Sequence, residues 1–309
     1  MRTVHLTDSA QFPLVQDTAP QPQPGPQELL IAVRAAGFML TELSWYPTSH
    51  DKDGRPRTAA VPGHEFSGVV AAAGKDVGSL EIGREVYGMN DWHSNGAVAE
   101  FCIAPFCAVA PKPVRLSHVE AASVPIGALT AWQALFDHAR LQPGERVLIH
   151  GGAGAVGVFA IQLARLHGAH VIATASAGNC AFAASLGAEQ VIDYRESRFE
   201  DCVRDVDVVF DTVGGETLQR SWSVLKPNGR LVTVVSSAQN SSDPRVSGAF
   251  FIVEPDQKQL VEIGGLLDAG KLRAVVDSVI PLSQAPDAYA GKVRRRGRGK
   301  LVIAVPTVN

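Results

Sequence analysis

Cysteine is scarce in this 309-residue chain and follows no pattern. Cys102, Cys107, Cys180 and Cys202 are the only four, too few and too scattered for a disulfide framework, and none has the paired CxxC spacing of a zinc site. They read as reduced packing residues. Charge of one sign is also lacking. Lys and Arg number 28 against 31 Asp and Glu, for a net charge of −3 and a pI near 6.3. No global field therefore draws the chain to nucleic acid or to an anionic membrane, neither partner is expected, and a small molecule becomes the default. No uninterrupted apolar run is long enough to span a bilayer, and the amino-terminal stretch meets an acid before any run of signal-peptide length. The expected compartment is the cytoplasm. What is present is a 46% hydrophobic, 19% charged composition with 29 glycines. That suits a globular protein of one large α/β domain or two ordinary ones, with a core sufficient to fold unaided.

Residues 1–116 are rich in Gly, Pro and short β-branched runs, notably 28–34, 66–73 and 101–104, each bounded by turn residues, and read as a β-rich unit. The proline-rich stretch 19–26 reads as a polyproline turn between two edge strands. At Ser117 the pattern changes: Ser117-His-Val-Glu120 fits an N-cap with an acid three residues on, followed by an apolar-periodic segment. Strand–helix units then repeat, with strands expected at 146–150, 170–174, 191–192, 206–210 and 230–235, and helices ending near Leu166 and Leu186. Near-continuous apolar strands alternating with helices indicate a doubly wound parallel sheet covered on both faces, an α/β domain over 117–253. Beyond it, an amphipathic helix at 259–267 and strand-like runs at 274–279 and 300–305 are too little for a third domain. Residues 254–309 are therefore expected to rejoin residues 1–116 in one discontinuous unit.

The strongest local signal is His150-Gly-Gly-Ala-Gly-Ala-Val-Gly157, in which Gly152-x-Gly154-x-x-Gly157 follows one expected strand and opens the next helix. The first glycine permits the tight turn, the second lets backbone approach a pyrophosphate, and the third lets helix and strand pack closely. Gly152, Ala153, Gly154, Ala155, Val156 and Gly157 are thus the expected phosphate cradle. An NAD-binding version would carry an acid at the end of the second strand, about 20 residues on, to hold the ribose 2′-OH. Here that strand ends in Ser176 and Asn179, small neutral donors with room for a 2′-phosphate, which points to NADP(H). The alternative for both is capping of the following helix. Tyr194 or Arg195, after the third strand, can complete the phosphate site, or Arg195 is simply solvated.

Seven segments together resemble the medium-chain dehydrogenase/reductases, and within them the zinc-independent quinone oxidoreductases. These are Pro62-Gly-His-Glu-Phe-Ser-Gly68, Gly96-Ala-Val-Ala-Glu-Phe101, Leu129-Thr-Ala-Trp-Gln-Ala-Leu135, the glycine loop, Ser185-Leu-Gly-Ala188 with Val191-Ile-Asp-Tyr194, Asp211-Thr-Val-Gly-Gly215, and Leu267-Asp-Ala-Gly-Lys-Leu272. The resemblance covers almost the whole chain in order. It implies a GroES-like β-rich catalytic domain, a Rossmann domain inserted before that domain's last segment, and an active site in the cleft between them. It also implies that Thr130, at the start of the helix bridging the domains, lies against the nicotinamide, a back bond within the helix being the alternative. Thr212, Val213 and Val235 are assigned to the cofactor by the same likeness. So are Phe251 and Val253, within a segment that a buried strand explains equally well, and Lys300. Asp211 stands where ligands bind or caps a turn. The run Arg294-Arg-Arg-Gly-Arg-Gly-Lys300 lacks interleaved aromatics and reads as a solvated turn.

Zinc-dependent members of the family use two cysteines and the histidine of the Gly-His-Glu motif. The cysteine positions here fall on Met39 and near Ile126, while His64-Glu65 survives, and one histidine with one acid cannot close a tetrahedral zinc shell. No metal is expected. Without a Lewis acid, simple alcohol dehydrogenation is disfavoured, whereas hydride added to a quinone or an α,β-unsaturated carbonyl delocalises charge onto an oxygen that hydrogen-bond donors can stabilise. Tyr46, in Trp45-Tyr46-Pro47, is the first expected donor, with aromatic packing as its alternative. His64 and Asn95 are further donors, and Trp92 a wall. The expected activity is NADPH-dependent reduction of a small apolar conjugated acceptor. A crystallin-like cofactor binder with little turnover and a residual alcohol dehydrogenase are the alternatives. A homodimer paired along the Rossmann sheet edge is the expected assembly.

Overall fold

The chain's short β-branched runs pair into three sheets in the computed structural model, which describes residues 1–7, 14–78 and 82–307. Strands β1 (Arg2–Leu6) and β2 (Leu14–Thr18) form an antiparallel ribbon. A seven-stranded sheet takes β3 (Glu28–Gly37), β4 (Glu65–Ala73), β5 (Glu85–Met89), β6 (Phe101–Pro105) and β7 (Val109–Pro111). Its centre is β3, whose apolar run is long enough to carry β4 along one edge and two partners in series along the other. The proline-rich stretch therefore leads from the edge strand β2 into a central strand, and not between two edge strands.

The parallel sheet consists of β8 (Arg146–Ile149), β9 (His170–Ala175), β10 (Gln190–Asp193), β11 (Val206–Asp211) and β12 (Leu225–Thr233), ordered β10-β9-β8-β11-β12. The order reverses at β8, so a crevice opens at the carboxyl ends of β8 and β11, where doubly wound sheets bind ligands. β12 starts earlier than its apolar run because a register shift between Val206 and Val208 lets Leu225 join the ladder, with residues 226–229 bulging from β12. The last segment adds to the first sheet: β13 (Val276–Pro281) pairs with β14 (Lys300–Ala304), and β14 with the far half of β3. Residues 250–253 are no strand. One bridge, Thr233 to Phe250, joins them to β12, and Phe251 and Val253 turn inward while Ile252 is 54% exposed.

Five helices position the site. α1 (Tyr46–Ser49) follows a 3₁₀ turn. α2 (His118–Ala122) begins with the capping box read from the sequence, Ser117 with Glu120. α3 (Pro125–Trp132) crosses between the sheets, α4 (Gly157–Leu166) follows the glycine loop, and α5 (Ala177–Ser185) follows β9. The helix Gln257–Asp268, capped by Asp256, buries Leu260, Ile263 and Leu267 in the same cluster as Leu129 and Ala131 of α3. Where the chain leaves the parallel sheet, the Gln133 amide clasps Glu254 in both directions, accepting from its N–H at 3.0 Å and donating to its carbonyl at 2.7 Å.

Candidate functional site

The glycine loop is built as its spacing requires. A Cβ on Gly157 would stand 2.2 Å from the Gly151 carbonyl oxygen and 2.7 Å from the Gly152 Cα, and one on Gly152 would meet Ala173 and Ile161 at 3.0 Å. Gly152 and Gly157 thus let α4 pack against β8 and β9, while Gly154 is exposed at the loop tip, where backbone can approach a pyrophosphate. Ala153, Ala155 and Val156 form the rest of the turn, and α3 reaches it through Gly127, whose Cβ would lie 2.4 Å from the Ala155 carbonyl oxygen. The Thr212 hydroxyl donates to the His150 carbonyl at 2.8 Å. Asp211 accepts from the N–H groups of Val213 and Gly214 and from the Thr233 hydroxyl, so it organises the turn, the capping alternative of the two. Val213 is exposed beside this turn and Val235 packs on Gly214. The residues present fit a dinucleotide.

At the ribose end, β9 delivers Ser176 and Asn179 together, with Asn179 donating to the Ser176 hydroxyl at 3.3 Å. Tyr194 joins them through its N–H to the Ala175 carbonyl, its ring exposed under the Arg195 guanidinium. The arginine run is a solvated turn only over residues 294–297, which are exposed, whereas Arg298 is half-buried and Gly299 buried. It folds across the parallel sheet's ligand end, where the Gly299 N–H donates to the Ala153 carbonyl at 2.8 Å and the Arg298 Nε donates to the Asn179 Oδ1 at 2.7 Å. Asn179 is consequently a support for Arg298 rather than a free donor. Some 120 residues separate the two in the chain, and no local pattern announces their meeting.

Between the sheets lies a cluster of buried polar residues. The Lys300 ammonium is paired with Glu65, whose other carboxylate oxygen accepts from the Ile126 N–H at 2.9 Å. This corrects the assignment of Lys300 to the cofactor: its side chain ties β14 to β4 and to the head of α3, and its neighbour Gly299 touches the glycine loop instead. Glu42, missed in the sequence, accepts from the Tyr289 hydroxyl and, at 3.0 Å, from the Gly63 N–H. Burial pushes its carboxyl up to about 7. The spacing Met39-x-x-Glu42 ahead of Gly-His-Glu is the one signal that could have found it.

His64 is 1% exposed, lies 3.9 Å from Glu42, and packs against Trp45 and Trp92, with ring centroids 6.0 and 5.1 Å away and the two indoles in edge contact at 5.5 Å. Neither ring nitrogen has a hydrogen-bond partner among the described residues. Burial, with Arg57 and His93 nearby, lowers its pKa to about 4, so the imidazole is neutral at pH 7. The other expected donors are elsewhere. Tyr46 is 58% exposed, stacked on His50 with its hydroxyl beside Gly54. Asn95 is exposed, and its Oδ1 clips a loop by accepting from Arg57 Nη2 at 2.7 Å and the Val61 N–H at 3.0 Å. Thr130 does not begin its helix but sits buried in the second turn of α3. Met39 and Ile126 offer no zinc donor beyond a thioether, and among the described residues no group of three or more His, Cys, Asp or Glu is placed to hold a metal ion. The residues do not fit the zinc shell.

Two buried neutral histidines make stability depend on pH. His150, under the glycine loop between Thr174 and Ser221, is lowered by burial to about 3. Against an unfolded value near 6.5, His64 and His150 each take up a proton on unfolding as pH falls below 6.5, costing about 1.4 kcal/mol per pH unit each. Glu42 acts oppositely, since its raised pKa favours the native state at low pH and that contribution is lost as pH rises from 4.5 through about 7. The net expectation is about 2 kcal/mol less stability at pH 5 than at pH 6.5. In His150→Asn that slope should fall nearly to zero. Urea unfolding at four pH values measures it, and an unchanged slope in the variant refutes the assignment.

Residues 25–114 match the alcohol dehydrogenase GroES-like domain family, and residues 186–303 the zinc-binding dehydrogenase family. The mitochondrial NAD(P)H oxidoreductase RTN4IP1 of Mus musculus is 34% identical over 91% of this chain and 82% of its own. The 2-methylene-furan-3-one reductase of Solanum lycopersicum is 36% identical over 79% of this chain and 63% of its own. Among solved structures, the quinone oxidoreductase from Coxiella burnetii superposes with a TM-score of 0.87 at 33% identity, 99% of each chain being covered.

Proposed function

The chain belongs to the medium-chain dehydrogenase/reductase superfamily, as an oxidoreductase of the quinone oxidoreductase type that uses a nicotinamide cofactor, and from that premise we propose that it reduces a quinone or an α,β-unsaturated carbonyl with NADPH and without zinc. The observation that carries this reading is His64: a buried, neutral imidazole with unpartnered nitrogens, walled by two indoles.

NADPH, when bound, supplies a hydride. The glycine loop and the Ser176–Asn179 turn hold the dinucleotide, and α3, packed on that loop through Gly127, orients the nicotinamide end. Trp45 and Trp92 offer flat apolar faces that suit a planar conjugated acceptor and keep water out. Hydride addition to the electrophilic carbon would move the displaced π electrons to the carbonyl oxygen. The neutral His64 imidazole would offer its one N–H to that oxygen as a hydrogen bond, and the proton that completes the reduction would be taken from solvent as the product leaves. Thr130 and the backbone of Phe251 and Val253 complete the nicotinamide side of the crevice in this reading.

An alcohol substrate would need its hydroxyl proton removed, a task for which Met39 and Ile126 provide no metal. We also propose a cytoplasmic enzyme, in keeping with four free cysteines, and a homodimer joined along residues 250–253 through the exposed Ile252. The reading is tested by NADPH oxidation across parallel panels of quinones, enones and simple ketones. Turnover of conjugated acceptors alone supports it, and NADPH binding with no acceptor reduced returns the protein to a cofactor-binding role.

A further inference from the structure

The ribose end of the crevice holds a cation, Arg298, that no carboxylate neutralises among the described residues. Arg298 donates through Nε to Asn179 Oδ1 and through Nη2 to the Gly178 carbonyl, both at 2.7 Å, and its guanidinium lies over the Phe182 ring at 5.0 Å. Both acceptors are neutral, and no carboxylate pairs with this guanidinium among the described residues. Of its five N–H donors two are used, which leaves the whole Nη1 edge free.

The place matters as much as the charge. Asn179 and Gly178 open α5, just past the end of β9, where an acid would read the 2′-OH of NAD. The Ser176 hydroxyl beside them stands at the N-cap of α5 but makes no capping bond; it accepts from Asn179, and among the described residues its hydrogen is free to donate. A planar guanidinium with a free edge, next to a free hydroxyl, suits a phosphate dianion.

The loop that brings Arg298 here is rigidly made. Buried Asp277 accepts from the N–H groups of Arg296 at 3.2 Å and Arg298 at 3.0 Å. Gly297 and Gly299 flank the arginine at φ 75° and 66°, and a Cβ on Gly299 would stand 2.1 Å from the Val275 carbonyl oxygen. The contact at Gly299 admits no side chain, and the left-handed backbone at Gly297 favours glycine, so the Gly-Arg-Gly sequence suits this turn. Gly299 then donates to the glycine loop itself.

We propose that Arg298, carried by the returning segment of the β-rich unit, recognises the 2′-phosphate of NADP(H), so that the choice between the two dinucleotides is made by a residue outside the parallel-sheet domain. The inference rests on the NADP(H) reading above. It implies that the phosphorylated cofactor bridges the two units across the crevice, and that Asp277 is a positioning residue for the cation.

The test is a fluorescence titration of wild type, Arg298→Gln and Arg298→Lys with NADPH and NADH, repeated with 2′,5′-ADP and 5′-AMP as competitors. Arg298→Gln should weaken NADPH and 2′,5′-ADP on the order of 10- to 100-fold, the range of a charge-assisted hydrogen bond, and move NADH and 5′-AMP by less than about 2-fold on the same ground. Arg298→Lys, with its charge kept but its planar fork lost, should fall between. Equal losses for both dinucleotides would make Arg298 a merely structural strut and overturn the proposal, as would a variant that keeps the wild-type preference. Wild type that binds NADPH no tighter than NADH would instead refute the NADP(H) reading itself. Since the guanidinium is partly exposed, the variants should melt with wild type, and the melting curve is recorded alongside.

Discussion

His64→Leu is expected to lower kcat for a quinone or enone by about 10²- to 10³-fold, the usual effect of removing one donor to a developing oxyanion, while the dissociation constant for NADPH stays unchanged. The physical ground is an asymmetry. A buried polar group with no partner destabilises the fold that contains it, and replacing it with an apolar group of similar shape is neutral or favourable. Both His64 nitrogens are in that position. The variant should therefore fold at least as stably as wild type and catalyse far less, a combination that separates a functional group from a packing one. Activity and urea midpoint, measured on the same preparation, decide the matter. Loss of both would make His64 structural. The neutral imidazole also predicts a kcat that does not follow the ordinary histidine titration near pH 6.5, because the native group takes up its proton only near pH 4.

Lys300→Met should cost about 3–5 kcal/mol of unfolding free energy, the usual penalty for leaving one member of a buried ion pair without its partner. Lys300 and Glu65 are both fully buried, and the pair joins three elements: β14, β4 and, through the Ile126 N–H, the head of α3. Glu65→Gln should be costly for the same reason, since it strands the ammonium. In Lys300→Met with Glu65→Gln the isolated charge is gone and the amide oxygen can still accept from Ile126, so the double variant should recover most of the loss. The cycle yields a coupling energy. Additive losses would show that the pair is not the unit that holds these elements together.

Much of the fold is legible in the chain. Period-two runs and turn residues mark the sheets, and the apolar strands alternating with helices from 146 onward imply a parallel sheet before any coordinates are seen. The glycine spacing marks the loop because Gly152 and Gly157 answer local steric demands, as the 2.2 Å approach at Gly157 demonstrates. The errors have a common cause in contacts between distant segments. β12 extends beyond its apolar run because a bulge of its own lets Leu225 pair with Val206. Lys300 turns to Glu65, 235 positions away, and Arg298 reaches Asn179 across 119. A basic run is ordinarily solvated, and only the return of the last strands to the first sheet brings this one to the ribose end. Glu42 was hidden because an acid in a 3₁₀ turn looks exposed until Tyr289, from the far end of the chain, covers it.

The central claim is that electrophilic assistance in this crevice comes from a side chain and not from a metal ion. Its most direct test is turnover of NADPH and a conjugated acceptor by protein stripped with a strong chelator, with residual zinc quantified by mass spectrometry. Undiminished turnover in zinc-free protein is the predicted result. Activity that vanishes on stripping and returns with stoichiometric zinc would contradict it.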